Sequence, residues 1–224
     1  MVNRVMQTSR REKRKNMKFQ ISFDLIDVEK QIEIAKQIVD FADIFEVGTL
    51  PIFKYGAAAL ERFREEFPKK TLLADTKIVD RGRDAASIFS QAGADWISVM
   101  GGTSRNVVHG ACSKAHDLGK KVILDLIDTN SPGQAALEAE SLGADALLFH
   151  QAHDESDGLS IIEHWEMVRG NTNLPIFVSA RITRETIDQI LQLKPDGIII
   201  GRAILDHEDP VSEARFFFEK CKNS

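Results

Sequence analysis

Scarce cysteine and the absence of a long apolar run set the first limits on this sequence. Cys112 and Cys221 lie far apart and match no metal-ligand spacing, so we expect reduced thiols and neither a disulfide nor a zinc site. No apolar run approaches the roughly 20 residues that a membrane-spanning helix needs, and the first residues lack the apolar centre of a secretory signal. We therefore expect a cytoplasmic protein with no membrane partner.

The composition is ordinary, but the charge is unevenly distributed. The 224 residues are 43% hydrophobic and 28% charged, as expected for one globular domain with a sizeable core. The net charge of −5 conceals a basic segment, residues 1–16. Basic segments often bind nucleic acids or membranes, but this one has no aromatic residue and no helix or strand period. We predict that residues 1–16 are a disordered extension, that residues 17–224 form the catalytic domain, and that no nucleic acid is bound.

From Lys18 onward, a unit of one strand and one helix repeats roughly every 26 residues. Eight apolar runs alternate with amphipathic segments: FQISFDL, IFEVG, TLLADTK, WISVMG, KVILDLI, ALLFHQ, IFVSA and GIIIGR. Similar turns, QAGAD, SLGAD and LKPDG, precede three of them, and we expect a left-handed glycine in each turn. The pattern predicts a closed (β/α)₈ barrel in one domain. An open doubly wound sheet is disfavoured because no G-x-G-x-x-G follows the first strand.

Polar and charged residues gather where the predicted strands end. In a (β/α)₈ barrel these ends converge on one mouth, where catalysis takes place. The residues concerned are Asp24, Glu46, Asp75, Lys77, Asp125, His150, Ser179, Gly201 and Arg202, with Asp128 beyond the fifth strand. A single carboxylate at such a position is usually a solvated loop residue. Ionisable groups at five strand ends instead predict a catalytic mouth.

Two chemical features can be inferred for this mouth. Glu46 and Asp75, on adjacent strands, suit a hard divalent ion, and Mg²⁺ is the natural choice because it takes oxygen ligands. His150 and His153 follow a strand and do not share a helix face, so acid–base chemistry is favoured over metal binding.

The end of the eighth strand, Gly201-Arg202, is typical of a phosphate site, because the loops after the last two strands commonly bind phosphate in these barrels. Arg202 could instead be a structural ion-pair residue. Together the residues predict a Mg²⁺-assisted enzyme that acts on a phosphorylated small molecule through an anionic intermediate.

The stretches FQISFD, IFEVGT, LLADTKIVD, AGADWISV, LFHQAHD and IIGRAI, in this order, resemble one enzyme family. It is the family of 3-keto-L-gulonate-6-phosphate decarboxylase and 3-hexulose-6-phosphate synthase, in the orotidine-phosphate decarboxylase superfamily. The resemblance implies that Glu46 and Asp75 bind Mg²⁺ and that Asp24 belongs to the same polar cluster. It also implies that Lys77 supports the developing enediolate oxygen.

The same resemblance assigns the proton chemistry and the assembly. His150 would handle protons near the reacting carbon. Asp80 would reach into the active site of a neighbouring subunit, so the enzyme would be an obligate homodimer with shared active sites. The expected catalytic residues are thus Lys77, Asp80, Asp125 and His150, and the expected substrate-binding residues are Asp24, His153, Ser179, Arg181, Gly201 and Arg202.

This chain is mixed at the positions that separate the two activities. The decarboxylase typically has Glu, Arg, Thr and Arg where this chain has Asp125, His153, Ser179 and Arg202. The synthase tends to have Asp, a residue other than Arg, Ala and a small residue. The usual Gly-Gly after the seventh strand is replaced by Ala180-Arg181, which removes backbone freedom beside the expected phosphate but adds a charge.

Three functions stay open. The first is decarboxylation of 3-keto-L-gulonate 6-phosphate to a pentulose 5-phosphate. The second is aldol condensation of formaldehyde with D-ribulose 5-phosphate, through the same enediolate. The third is a non-catalytic sugar-phosphate-binding protein, suggested by Ala180-Arg181. We favour the first because the retained Arg202 suits a substrate with a second anionic group.

Overall fold

Eight parallel strands close into a single barrel, in the order β1 to β8 around the ring. The computed structural model describes residues 17–127, 129–151 and 161–223. The predicted extension over residues 1–16, and the candidate residues Asp128 and His153, lie outside these ranges. The prediction of a (β/α)₈ barrel is confirmed.

The strands and helices alternate along the chain. The strands are β1 Lys18–Phe23, β2 Ile44–Val47, β3 Thr71–Ile78, β4 Trp96–Met100, β5 Lys121–Asp125, β6 Ala146–His150, β7 Ile176–Ser179 and β8 Gly197–Ile200. The helices are α1 Val28–Ile38, α2 Thr49–Tyr55, α3 Ala57–Glu66, α4 Gly82–Gln91, α5 Arg105–Asp117, α6 Pro132–Leu142, α7 Ile161–Arg169, α8 Ile187–Gln192, α9 Arg202–Leu205 and α10 Pro210–Lys222. Two strands are each followed by two helices: β2 by α2 and α3, and β8 by α9 and α10.

The barrel interior is apolar at its base and polar at its mouth. A separate cluster of buried apolar side chains includes Ile44, Leu73, Ile123, Leu148, Phe177 and Ile199. Successive side chains on a strand point to opposite faces, so residues two positions further along face the same interior. Those residues are Glu46, Asp75, Asp125, His150, Ser179 and Gly201. The alternation of each strand therefore directs the candidate site residues into one mouth.

Four aspartates close the opposite end of the barrel. Each precedes an even-numbered strand and accepts the backbone N–H of a residue in the preceding strand. The pairs are Asp43 with Phe19 at 2.9 Å, Asp95 with Leu72 at 3.0 Å, Asp145 with Val122 at 2.8 Å and Asp196 with Ile176 at 2.9 Å. The repeated aspartate in the turns QAGAD, SLGAD and LKPDG thus satisfies a buried strand donor.

The turns before these aspartates differ in one respect from the sequence-based expectation. Gly93 and Gly143 adopt positive φ angles of 107° and 96°, as predicted for QAGAD and SLGAD. In LKPDG the left-handed residue is Lys194, with φ of 54°, and Gly197 is instead the first residue of β8. The prediction of a left-handed glycine is therefore wrong for this turn.

Within the described ranges, no helix is both long and apolar enough to span a membrane. Cys112 and Cys221 are buried, on α5 and α10, and burial raises the pKa of each thiol to about 12.

Candidate active site

The centre of the mouth is an ionic network around Lys77. The Nζ atom of Lys77 lies 3.2 Å from Oδ2 of Asp75 and 3.1 Å from Oδ2 of Asp125. Nδ1 of His150 lies 3.0 Å from the same Asp125 oxygen. Four predicted site residues from β3, β5 and β6 are therefore joined in one chain of contacts.

The charged groups of this network shift one another's pKa values. Burial alone would raise the pKa of Asp125, whose side chain is fully buried, but His150 and Lys77 outweigh burial and lower it. Burial alone would lower the pKa of His150, but the Asp125 carboxylate raises it above the usual histidine value. For Lys77, the two carboxylates outweigh burial and raise the ammonium pKa. Asp125 is thus the shared partner of the Lys77 ammonium and the His150 imidazole.

A β-bulge shapes the strand that carries Asp75 and Lys77. Ala74 pairs with Ile97 of β4, but the next paired residue of β3 is Ile78, which faces Val99. Lys77 has a φ of 44°, the left-handed region that a lysine rarely adopts. Asp75 and Lys77 both lie within this bulge, and their side chains contact each other at 3.2 Å.

Glu46, from β2, is buried beside this network. Its carboxylate accepts a hydrogen bond from Nε2 of Gln20, and its Oε1 accepts one from Ser22 at 2.6 Å. Burial and, second, the negative charge of Asp75 raise the pKa of Glu46 to about 7. Glu46 therefore lies close enough to Asp75 for the two carboxylates to repel each other.

Asp24 follows β1 and completes the acidic side of the mouth. Its Oδ1 accepts the backbone N–H of Leu50 at 2.8 Å. A side chain at Gly48 would clash with it, because a Cβ there would lie 2.4 Å from Oδ1 of Asp24. Burial and the charge of Asp75 raise the pKa of Asp24, although the Leu50 N–H opposes this.

The carboxylates fit the expected divalent ion. Burial and, second, the charge of Asp75 oppose ionisation of Glu46, and a cation between the two carboxylates would offset both effects. Each carboxylate oxygen has two lone pairs, so the hydrogen bonds to these residues leave acceptor capacity for a metal. In the described part of the chain, no group of three or more His, Cys, Asp or Glu is arranged to hold an ion. Two protein ligands with water in the remaining positions suit Mg²⁺.

The remaining predicted residues surround this centre. Arg202, the first residue of α9, is exposed and directly follows the end of β8, and its charge partly offsets the raised pKa of Asp24. Ser179 ends β7 opposite His150, and Arg181 lies exposed in the following loop. Asp80 is exposed two residues beyond β3 and is not part of the ionic network described above.

Four further polar residues, which the motifs do not indicate, support the site: Gln20, Ser22, Thr49 and Ser98. Thr49 and Ser98 donate hydrogen bonds to Asp75 at 2.6 and 2.8 Å, and Gln20 and Ser22 donate to Glu46. Three of them interrupt apolar strands, which is a usable signal, because a buried polar side chain needs a partner.

The fold and the site define a (β/α)₈ enzyme with an acidic, lysine-bearing mouth. Residues 17–217 match the family described as orotidine 5'-phosphate decarboxylase / HUMPS, and the chain belongs to this family. The resemblance inferred from the motifs is thereby confirmed.

Individual relatives narrow the class of enzyme. The chain is 30% identical to 3-hexulose-6-phosphate synthase of Bacillus subtilis (strain 168) over 200 residues, 88% of this chain and 95% of that protein. The crystal structure of 3-hexulose-6-phosphate synthase from Salmonella typhimurium matches with a TM-score of 0.87 and 30% identity, over 92% of this chain and 98% of that one. A crystal structure named KGPDC, the 3-keto-L-gulonate-6-phosphate decarboxylase, from Streptococcus mutans matches with a TM-score of 0.85 over 92% of this chain and 98% of that one. Its sequence identity is 21%, so this likeness shows the fold alone. The prediction of a lyase is confirmed.

Proposed function

We propose that this protein is a Mg²⁺-dependent lyase of sugar phosphates whose main reaction condenses formaldehyde with D-ribulose 5-phosphate. The relatives that are 30% identical over most of both chains are named 3-hexulose-6-phosphate synthase. The structures named for the decarboxylase are only 21–22% identical. The synthase activity is therefore the first candidate and the decarboxylase activity the second, the reverse of the order that Arg202 alone favours.

The contact between Lys77 and Asp125 carries this proposal. The Lys77 ammonium lies 3.1 Å from a fully buried carboxylate that also contacts His150. Although burial opposes it, the charges of Asp75 and Asp125 raise the pKa of Lys77 and keep its ammonium charged, and that ammonium can stabilise a developing enediolate oxygen. The synthase tends to have Asp at position 125, so this contact agrees with the synthase pattern.

His150 is suited to move the proton at the reacting carbon. Its Nδ1 faces Asp125, which leaves Nε2 for the substrate. In the condensation, neutral His150 takes the proton from C1 of ribulose 5-phosphate, the resulting enediolate carbon attacks formaldehyde, and protonated His150 gives the proton to the new alkoxide oxygen. In the decarboxylation, loss of CO₂ forms the enediolate, and protonated His150 returns a proton to it.

Glu46 and Asp75 would hold Mg²⁺, which when bound supplies a Lewis acid toward the substrate oxygen atoms. Gln20 and Ser22 keep the Glu46 carboxylate in place by hydrogen bonds. Asp24 faces the same acidic pocket and is suited to bind a substrate hydroxyl.

The substrate phosphate would be bound by the loops after β7 and β8. Ser179, Arg181, Gly201 and Arg202 lie at or directly after the ends of these strands; Arg181 supplies positive charge for the phosphate, and Arg202 adds a charge that can meet the phosphate or a second substrate anion. His153 stays a predicted contact outside the described ranges. A homodimer with Asp80 in the partner's site, and a cytoplasmic location, also stay predictions.

Decarboxylation of 3-keto-L-gulonate 6-phosphate is the second candidate. The observation in its favour is Arg202, an exposed cation at the start of α9, directly after the end of β8. A cation in this position can meet the carboxylate that the decarboxylase substrate carries besides its phosphate.

The purified protein should be incubated with Mg²⁺ and either ribulose 5-phosphate plus formaldehyde or 3-keto-L-gulonate 6-phosphate, with formaldehyde consumption and CO₂ release as readouts. We expect efficient formaldehyde consumption and slower CO₂ release, and Lys77→Ala should abolish both. Efficient CO₂ release without condensation would restore the decarboxylase, whereas sugar-phosphate binding without either reaction would indicate the non-catalytic function.

A further inference from the structure

Ser98 is a buried hydroxyl in the middle of β4, between Ile97 and Val99. A hydroxyl in such a place destabilises the fold unless it is hydrogen-bonded. Its Oγ donates to Oδ1 of Asp75 at 2.8 Å and accepts the backbone N–H of Lys77 at 2.9 Å. One side chain therefore contacts both the candidate metal ligand and the backbone of the candidate catalytic lysine.

The bulge in β3 depends on this same residue. Between the pairs Ala74 with Ile97 and Ile78 with Val99, three residues of β3 stand opposite Ser98 alone. The hydroxyl of Thr76 donates to the backbone oxygen of Ser98 at 2.7 Å. A lysine in the left-handed region persists only where its surroundings hold it there. The bond from the Lys77 N–H to the Ser98 hydroxyl does so directly, whereas the Thr76 bond joins the bulge to β4 without contacting Lys77.

The two bonds of the Ser98 hydroxyl have a joint consequence. They fix the carboxylate of Asp75 relative to the backbone of Lys77, whose Nζ then meets Asp75 at 3.2 Å and Asp125 at 3.1 Å. Without the hydroxyl, the Lys77 N–H loses its acceptor and Asp75 loses a donor. No side chain of β4 would then fix the distance between the Asp75 carboxylate and the Lys77 ammonium.

We propose that Ser98 is a positioning residue, which sets the Asp75 carboxylate and the Lys77 ammonium in one geometry for the reaction. This inference rests on the proposed function, which gives Asp75 and Lys77 their roles in metal binding and enediolate stabilisation. Ser98 acts through these two residues and touches no substrate.

The test compares Ser98→Ala with Ser98→Thr, which keeps the hydroxyl, and with Thr76→Val as a matched control. Thr76→Val removes a hydrogen bond from the same bulge but leaves both bonds of the Ser98 hydroxyl intact. The readouts are kcat and KM for ribulose 5-phosphate, and the affinity for Mn²⁺ alone measured by calorimetry. Thermal unfolding reports the stability of each variant.

Ser98→Ala should weaken Mn²⁺ binding and lower kcat, each by about 10- to 100-fold, as loss of an outer-shell partner of a metal ligand typically does. KM should change little, because Ser98 does not touch the sugar phosphate. Ser98→Thr should restore both quantities, and Thr76→Val should lower stability while Mn²⁺ affinity stays as in the wild type.

Two results would overturn the inference: unchanged kcat and Mn²⁺ affinity in Ser98→Ala, or an equal loss of Mn²⁺ affinity in Thr76→Val. A wild-type protein inactive with both substrate pairs would refute the proposed function instead. In that case the inference about Ser98 is still tested by the Mn²⁺ affinity and a crystal structure of Ser98→Ala, because the inference requires Lys77 to leave its left-handed conformation in that variant. Retention of that conformation with unchanged metal affinity would contradict the role of Ser98.

Ser98→Thr could misfold because its methyl group overpacks the strand. Ser98→Ala and Thr76→Val then still give the comparison.

Discussion

Lys77 and Asp125 lie 48 residues apart in the sequence, yet the Lys77 Nζ and the Asp125 Oδ2 are 3.1 Å apart. Asp125 also contacts His150, so one buried carboxylate holds both the Lys77 ammonium and the proposed acid–base group in place. Its charge raises the pKa of both neighbours against the effect of burial. Removing the charge of Asp125 should therefore change the pH dependence of the reaction.

The first prediction concerns His150. If neutral His150 is the base in the condensation, kcat/KM should rise with pH through a pKa above the usual histidine value of 6.5. Asp125→Asn removes the charge that raises this pKa, so the rising limb should move to lower pH while the maximal rate falls. NMR titration of His150 gives the pKa directly. A limb that falls with pH would indicate that protonated His150 is the active form, as decarboxylation requires.

The second prediction concerns the metal. EDTA should abolish activity and Mg²⁺ should restore it, because Glu46 and Asp75 are proposed as its only strong protein ligands. Glu46→Gln should raise the Mg²⁺ concentration needed for half-maximal activity by at least about tenfold, since it removes one charged ligand. Glu61→Gln, at an exposed position of α3, is the matched control and should behave as the wild type. Full activity of the metal-free protein would contradict the proposed metal site.

The third prediction concerns assembly. If Asp80, exposed beyond β3, serves the partner's site, then Asp80→Asn and Lys77→Ala chains should each be inactive. Hybrid dimers of the two should regain activity, because each hybrid contains one intact site. The measurement is activity after mixing and reassembly, with sedimentation to verify the dimer. A stable and fully active monomer would refute shared sites.

The barrel and the composition of its mouth could be predicted because both depend on local pattern. Strand periodicity places Glu46, Asp75, Asp125 and His150 on the interior face, and the turns mark where each strand starts. The bulge could not be predicted in the same way, because TLLADTKI reads as an uninterrupted strand. Its left-handed Lys77 depends on hydrogen bonds to Ser98, a residue of the next strand.

The roles of several other polar residues could not be predicted either, because their contacts depend on how the strands are aligned. The aspartate in QAGAD was visible as part of a repeated phrase, but its partner, the Leu72 N–H, is 23 residues away. Gln20 and Ser22 were visible as polar residues in an apolar run, but their contact with Glu46 depends on the pairing of β1 with β2. Such roles require the alignment of strands and not only their existence.

The fourth prediction concerns stability. Asp95→Ala should lower the free energy of unfolding by about 1–3 kcal/mol, because it leaves the buried Leu72 N–H without its acceptor. Burial opposes ionisation of Asp95, but the Leu72 N–H and its cationic partners lower its pKa below 3.8. Its stabilisation is therefore present above that value and is lost as the pH falls through the lowered pKa. In denaturant unfolding, the difference in unfolding free energy between the wild type and Asp95→Ala should shrink on acidification. Asp117→Ala, on the exposed side of α5, is the control and should unfold like the wild type.

The last prediction separates the two lyase activities through Arg202. The decarboxylase substrate carries a carboxylate besides its phosphate, whereas formaldehyde carries no charge, so only decarboxylation needs a second anion-binding group. If Arg202 meets that carboxylate, Arg202→Ala should reduce kcat/KM for decarboxylation by about a hundredfold, the value of one charge-assisted contact, and reduce that for condensation much less. Arg83→Ala, at an exposed position of α4, controls for the loss of a surface charge. If both reactions fall equally, Arg202 binds the phosphate that the two substrates share, and the mixed pattern at Asp125, Ser179 and Arg202 no longer favours a decarboxylase side activity.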